Sequence, residues 1–105
     1  MAKTAEKVVC ATPTPGKQPT RIDKWKYDRL RKEILRILPA RGEGVPFREL
    51  PRLVAEKLTA EERAQVGSIM WYVTTVKLDM ETKGEIERVA DVTPQRLRRC
   101  TSKKP

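Results

Sequence analysis

Apolar residues between positions 68 and 83 recur every three or four positions, which is the spacing of an amphipathic helix. Ser68 is a suitable N-cap for this helix, and Gly84 can adopt the left-handed conformation that ends one. The pattern predicts a helix with an inward stripe made of Ile69, Tyr72, Val73, Val76 and Met80.

The opposite side of the predicted helix has an unusual composition for a solvated surface. Two large apolar side chains among threonines indicate a contact surface. Alternatively, Trp71 is buried under the N-terminal segment or the first helix. The residues of this side are Trp71, Thr74, Thr75, Leu78 and Thr82.

Two helices and a short strand are predicted before this element. Residues 23–38 form the first helix, with Asp23 as N-cap and Pro39 after its end. Residues 45–47 suit a brief strand, and residues 48–58 suit a second helix. The inward stripe of the first helix is Tyr27, Leu30, Ile34, Ile37 and Leu38.

Thr59 and Glu62 have the spacing of a capping box. This box begins either a separate short helix or an early extension of the third helix, with a break at Gly67. After Gly84, residues 85–89 and 95–100 are predicted to form the two strands of a β-hairpin, with a turn at residues 91–94.

The chain divides into three segments by composition. Residues 1–21 contain three prolines and no aromatic residue, so we expect a flexible basic arm without a core. Residues 22–100 form the predicted domain, and residues 101–105 a frayed basic tail. The arm can lie along a phosphate backbone or serve only as a solubilising tail.

Composition excludes several classes of function. The chain has no histidine and no Gly-rich phosphate loop, and its two cysteines cannot complete a zinc site, so we expect no enzyme, metal or cofactor. No apolar run is long enough to span a membrane, which makes a cytoplasmic location the default expectation.

The formal net charge of +9 is unevenly distributed. Residues 59–92 hold four basic residues against seven acidic ones, whereas residues 93–105 hold five basic residues and no acid. Clusters of this kind bind phosphate through counterion release. Phosphate affinity is therefore expected from the arm, the first helix and the last strand, and not from the third helix.

The order helix, short strand, helix, helix, hairpin resembles the winged helix-turn-helix fold, a mainly α (α+β) architecture with three helices and a C-terminal wing. The stretches VPFREL and KLDMETKGEIERV are similar to the second helix, third helix and wing entry of bacterial winged-helix domains. They resemble a small uncharacterised bacterial family and the N-terminal winged domains of restriction endonucleases that act on modified DNA. The resemblance implies that the wing supplies Arg88, Arg96 and Arg98, and that the major groove is faced by Ser68, Trp71, Thr74, Thr75 and Leu78.

Two functional hypotheses follow. In the first, the protein binds duplex DNA with modest sequence preference, as a transcriptional regulator would. Phosphates contact Arg96, Arg98, Arg99 and the arm, while bases are approached by Thr74, Thr75 and Lys77. RNA is a further ligand for the same basic surfaces. In the second, the face with Trp71 and Leu78 is a protein interface, for a homodimer or a partner helix.

Overall fold

The computed structural model describes residues 6–12, 19–89 and 94–100. The elements are β1 (Lys7–Cys10), β2 (Thr20–Asp23), α1 (Lys24–Ile37), β3 (Val45–Pro46), α2 (Leu50–Lys57), α3 (Ala60–Val66), α4 (Ile69–Thr82), β4 (Ile86–Arg88) and β5 (Arg96–Arg99). A 3₁₀ turn, Phe47–Glu49, leads into α2. The strands form two small antiparallel sheets, one of β1 and β2 and one in the order β3-β5-β4. The predicted α+β class is confirmed.

Helix α4 supplies the centre of the core. Val73, Val76 and Met80 are fully buried against apolar residues of α1 and α2, as the periodicity predicts, while Ile69 and Tyr72 are partly buried. None of the helices in the described ranges has the length and apolar character needed to cross a bilayer.

The described residues contain four α-helices where three are predicted, because α3 is separate from α4. The Thr59 hydroxyl accepts a hydrogen bond of 3.0 Å from the Glu62 backbone amide, and the Glu62 carboxylate accepts one of 2.9 Å from the Thr59 backbone amide. Gly67 then takes a positive φ of 87° that a helix cannot accommodate, and Ser68 caps the next helix by accepting the Trp71 amide at 3.3 Å. The predicted capping box at Thr59 and the predicted N-cap at Ser68 are confirmed. Of the two alternatives at Thr59, the separate short helix is the correct one.

The strands near the C-terminus are shorter than predicted. β4 pairs antiparallel with β5, and Glu87 lies opposite Arg98. β5 also pairs with β3, which ends at Pro46 because Phe47 already belongs to the 3₁₀ turn. The predicted turn at residues 91–94 lies outside the described residues except for Pro94.

The expectation that residues 1–21 form an arm without a core does not hold for the described part of that segment. β1 pairs antiparallel with β2, and Cys10 and Ile22 are buried in the core. Two apolar side chains suffice here because β1 and β2 together add one inner face to a core that α1 and α4 already form, which periodicity within one segment cannot reveal. The remaining arm residues, 1–5 and 13–18, and the tail at residues 101–105 lie outside the described ranges.

Asp23 occupies the N-cap position of α1, but its side chain does not cap the helix. It forms an ion pair with Lys7 of β1 instead, and lies 3.8 Å from the ammonium group of Lys26. The amide of Lys24 donates to the carbonyl of Glu6 at 2.9 Å. The start of α1 is therefore held by contacts with the N-terminal strand.

The buried carboxylate of Asp79 ties the N-terminal strands to the helices. Asp79, only 1% exposed, accepts the Ala11 amide at 2.9 Å and the hydroxyl of Tyr27, and its Oδ2 atom lies 2.8 Å from the Lys83 ammonium group. One side chain of α4 thereby joins the end of β1 to α1.

This network explains three shifted pKa values. Burial alone would raise the pKa of Asp79, but hydrogen bonds from Lys83, Tyr27 and Ala11 lower it below its ordinary 3.8. Burial and the bond to Asp79 raise the pKa of Tyr27 to about 12. Burial and the nearby Asp79 charge raise the pKa of Cys10 to about 11. Tyr27 and Cys10 therefore stay protonated at neutral pH.

Replacing Asp79→Asn is expected to lower the free energy of unfolding at pH 7 by about 2 kcal/mol, because it removes the charge that Lys83 and Tyr27 contact. The folded-state pKa of Asp79 is depressed, so its contribution is present above the unfolded value near 3.8 and is lost as the pH falls through the folded value. Urea denaturation from pH 7 to pH 3 should show wild type and variant converging below about pH 4.

The matched control is Asp28→Asn, which breaks an exposed pair with Lys24 and should change stability little at any pH. Equal losses for the two variants at pH 7 would contradict the anchoring role of Asp79.

Candidate nucleic-acid interface

The outer face of α4 carries no charged side chain within the described residues. Thr74, Thr75 and Leu78 lie there half-buried, and Trp71 is 47% exposed. Ser68 lies at the start of the helix, where its hydroxyl already accepts the Trp71 amide. The structure thus brings together all five residues that the resemblance assigns to this face.

Met70 is the most exposed large apolar residue of α4, at 63%. The sequence pattern does not single it out, because it is apolar like the stripe residues beside it. Trp71 meets Tyr72 edge to face, with ring centroids 4.8 Å apart and planes at 83°. Met70 and Trp71 form a small exposed apolar surface at the N-terminal end of α4.

Lys77 is not available to approach bases, contrary to the sequence-based expectation. Its side chain turns inward and is 3% exposed, with the ammonium group 2.8 Å from the Glu81 carboxylate and 4.5 Å from the centroid of the Phe47 ring. Burial lowers the pKa of Lys77, while the bond and charge of Glu81 oppose that shift. The Nε atom of Arg88 lies 3.4 Å from the same glutamate, although the Arg88 side chain is more than half exposed.

Arg96 and Arg98 of β5 reach the turn between α1 and β3. Arg96 donates from Nε to the Glu43 carbonyl at 2.9 Å and from Nη2 to the Gly44 carbonyl at 3.0 Å. Arg98 donates from Nη1 to the Gly42 carbonyl at 3.0 Å. Alternation along the strand places both arginines on one face while Leu97 points into the core.

Arg99 contacts the same turn from the other face of β5, donating from Nε to the Leu38 carbonyl at 2.9 Å. Arg41 is exposed within the turn and forms no ion pair inside the described ranges. Arg96 and Arg98 lie on one face of β5, and Arg99 lies on the other face at the end of the strand. We call these three residues, together with Arg41 of the turn, the β5 arginine surface. The acidic side chains nearby in sequence or register are Glu43, which is exposed, and Glu87, which pairs with Arg98 at 2.7 Å.

The hydrogen-bond acceptors of these arginines determine whether the positive charge of the surface is neutralised. Arg96 and Arg99 donate to neutral carbonyls and pair with no carboxylate among the described residues. Each guanidinium has five N–H donors, so both keep donors that are free for a ligand. They are held in position without being neutralised.

Helix α1 is different, although it carries six basic residues. Five of them lie within 4 Å of a carboxylate, and only Lys32 has no such partner in the described part of the chain. The bidentate contact of Arg31 with Glu85, at 3.0 and 2.8 Å, is representative. The charge of α1 that the sequence offers for phosphate binding is therefore mostly neutralised within the fold.

The sequence identifies Arg96, Arg98 and Arg99 as candidates but not the carbonyls that orient them. The available signals are the alternation RLRR at residues 96–99 and the glycine-containing turn at residues 42–44. Neither signal shows that these two distant segments meet. In the ranges covered by the structure, no cluster of three or more potential ligands could hold a metal ion.

The turn at residues 42–44 approaches β5 so closely that Gly44 cannot carry a side chain. An added Cβ would lie 2.2 Å from the Leu97 carbonyl oxygen, and Gly44 has a φ of +76°. Gly42 also has a positive φ, of +86°, but nothing lies within 4 Å of its Cβ position. A side chain at Gly42 would therefore introduce backbone strain alone, whereas a side chain at Gly44 would introduce backbone strain and a clash with β5.

Gly42→Ala is expected to cost about 1 kcal/mol of unfolding free energy, because alanine disfavours positive φ. Gly44→Ala should cost an additional ~2 kcal/mol, because the turn must also move away from β5. Urea denaturation of both variants measures the difference. Equal losses would show that the turn is not in tight contact with β5.

Comparison with known proteins places the chain in a family but not near a characterised protein. No curated protein and no solved structure matches it. A family model described as a family of unknown function, DUF6958, matches residues 7–97, which run from the first residue of β1 into β5. Since this match covers most of the 105 residues, the chain belongs to the DUF6958 family.

Proposed function

We propose that this protein binds nucleic acid, duplex DNA included, through phosphate contacts of the β5 arginine surface. The observation that carries the proposal is that Arg96 and Arg99 are oriented by backbone carbonyls and not neutralised by described carboxylates. Oriented guanidinium groups with free donors suit the tetrahedral oxygens of phosphates. The net charge of +9 adds long-range attraction for a polyanion.

We also propose that the domain is a variant of the winged helix-turn-helix. The order α1, β3, α2, α3, α4, β4 and β5 supports this assignment, with β4 and β5 in the place of the wing. The variant would carry one additional helix and the β1-β2 pair packed on α1 and α4. In such a domain the wing contacts sugar and phosphate.

Little sequence preference is expected from this arrangement. Bidentate base contacts come from Arg, Lys, Asn and Gln, and the outer face of α4 presents none of these because Lys77 is buried. Affinity then comes mainly from the charge of β5 and neighbouring residues, which is independent of base sequence.

The combined substitution Arg96→Ala and Arg99→Ala is expected to weaken binding of a mixed-sequence duplex and to flatten its salt dependence. If each arginine makes one phosphate contact, the slope of log affinity against log salt falls by about 1.8 units. Fluorescence anisotropy with a labelled duplex across a salt series measures both quantities, and a thermal melt verifies folding.

The matched control removes the same formal charge at neutralised positions. Lys24→Ala with Arg52→Ala takes away two cations that pair with Asp28, Glu49 and Glu56. This variant should keep a slope near that of wild type. Equal slopes for the two double variants would mean that only net charge matters and would refute a specific role for β5.

A further inference from the structure

We infer that Trp71 is a stacking position for an unpaired nucleobase, so that the protein favours nucleic acid with unpaired bases over a perfect duplex. This inference rests on the nucleic-acid-binding function proposed above. It concerns a different surface from the β5 arginine surface, and it assigns a role to the most unusual exposed side chain of α4.

The indole of Trp71 is exposed but not free to move in every direction. It is 47% exposed and packs edge to face with Tyr72. Tyr72 is itself held by Lys26, whose ammonium group lies 4.5 Å from the centroid of its ring and 3.3 Å from its hydroxyl. An aromatic ring supported in this way can receive a base without a large loss of side-chain entropy.

The surroundings of Trp71 favour stacking over groove reading. Stacking requires an aromatic face and tolerates any base, whereas groove reading requires donors and acceptors matched to base edges. The outer face of α4 has threonines and Leu78 beside Trp71, and its charged residues Lys77, Asp79 and Glu81 point to other sides. No carboxylate of α4 therefore lies on this face to repel a phosphate backbone.

Charge complementarity favours a polyanion as the occupant. The chain has a formal charge of +9, whereas the nearby Lys26 is paired with Asp23 at 3.8 Å and serves to support the ring of Tyr72. A protein partner would need roughly 800 Å² of surface on each side. The exposed large apolar residues of α4 are only Met70 and Trp71, which suits one base better than a protein interface.

The distance between the two surfaces fits one strand. Lys26 lies beside Tyr72, and Leu38 at the other end of α1 contacts Arg99. Lys26 and Leu38 are twelve positions apart in the sequence, which is about 18 Å along the axis of α1. A strand of roughly 12 nucleotides is within the range that single-strand-binding folds cover and is long enough to reach both.

The experiment uses the full chain with Trp25→Phe, which leaves Trp71 as the only tryptophan because the sequence has two. The probes are an oligothymidylate of roughly 12 nucleotides and an abasic phosphodiester of the same length and charge. We expect the oligothymidylate to quench Trp71 emission and the abasic probe to bind without quenching it. Circular dichroism verifies that Trp25→Phe folds.

Affinity measurements provide the second readout. Trp71→Ala should lower the affinity for the oligothymidylate by about 5- to 100-fold and leave the affinity for the abasic probe unchanged. Trp71→Phe should retain most of the affinity because it keeps an aromatic face. Val9→Ala, which removes an exposed apolar side chain of β1 outside this surface, should affect neither probe.

Three results would overturn the inference. Equal losses for both probes on Trp71→Ala would assign the residue a structural or electrostatic role. Salt-dependent binding of both probes without quenching would leave the β5 proposal in place and remove the stacking role. Sedimentation showing a wild-type dimer that Trp71→Ala converts to a folded monomer would make the surface a protein interface.

The failure of the proposed function is distinguishable from these results. If neither probe nor a duplex binds at low salt, the nucleic-acid-binding function fails, and the stacking role fails with it. If Arg96→Ala with Arg99→Ala weakens both probes while Trp71→Ala weakens neither, only the stacking role fails.

Discussion

The fold depends on one buried carboxylate. Asp79 of α4 accepts hydrogen bonds from Ala11 at the end of β1 and from Tyr27 of α1, and it forms an ion pair with Lys83. It therefore joins three elements that are distant in the sequence. A buried charge is costly unless several partners compensate it, which makes this arrangement specific. The N-terminal strands can then place Cys10 and Ile22 over the core instead of extending into solvent.

Arginine serves two purposes in this protein, and the acceptor distinguishes them. Arg29 and Arg31 of α1 contact carboxylates, which joins elements but cancels charge. Arg96 and Arg99 contact carbonyls, which orients the guanidinium groups and leaves their charge for a ligand. By formal charge alone, α1 and β5 are comparable candidates for phosphate binding. The hydrogen bonds favour β5, because its arginines are not neutralised.

Helix α4 has a comparable division among its sides. Lys77 and Glu81 form an ion pair toward Phe47 and β4, and Asp79 faces the N-terminal strands. The apolar stripe with Val73, Val76 and Met80 faces the core, and the uncharged side with Trp71 faces outward. This division explains why α4, the recognition helix of the proposed winged-helix domain, lacks groups for reading base edges. It also leaves an indole accessible at one end of α1 while the unneutralised arginines lie at the other, so the two surfaces are separate parts of the proposed interface.

The local elements follow from the sequence alone. The stripe of α4, the capping box at Thr59, the stop at Gly67 and the cap at Ser68 depend on residues within one or two turns of each other, so spacing is sufficient to predict them. Arg96, Arg98 and Arg99 were identifiable as basic candidates because residues 93–105 hold five basic residues and no acid. Helical periodicity places Trp71 on the outer side of α4, but only the structure decides between an exposed indole and one buried under the N-terminal segment or the first helix.

Only the tertiary structure decided which of these residues are available. Lys77 lies at the edge of the predicted face, and a small rotation of the helix determines whether it is exposed or, as observed, buried against Phe47. The place of β1 in the core, the carbonyl acceptors of β5 and the ion pairs of α1 join residues that are far apart in the chain. Sequence periodicity reports the faces of one element at a time, whereas burial and neutralisation depend on which elements meet.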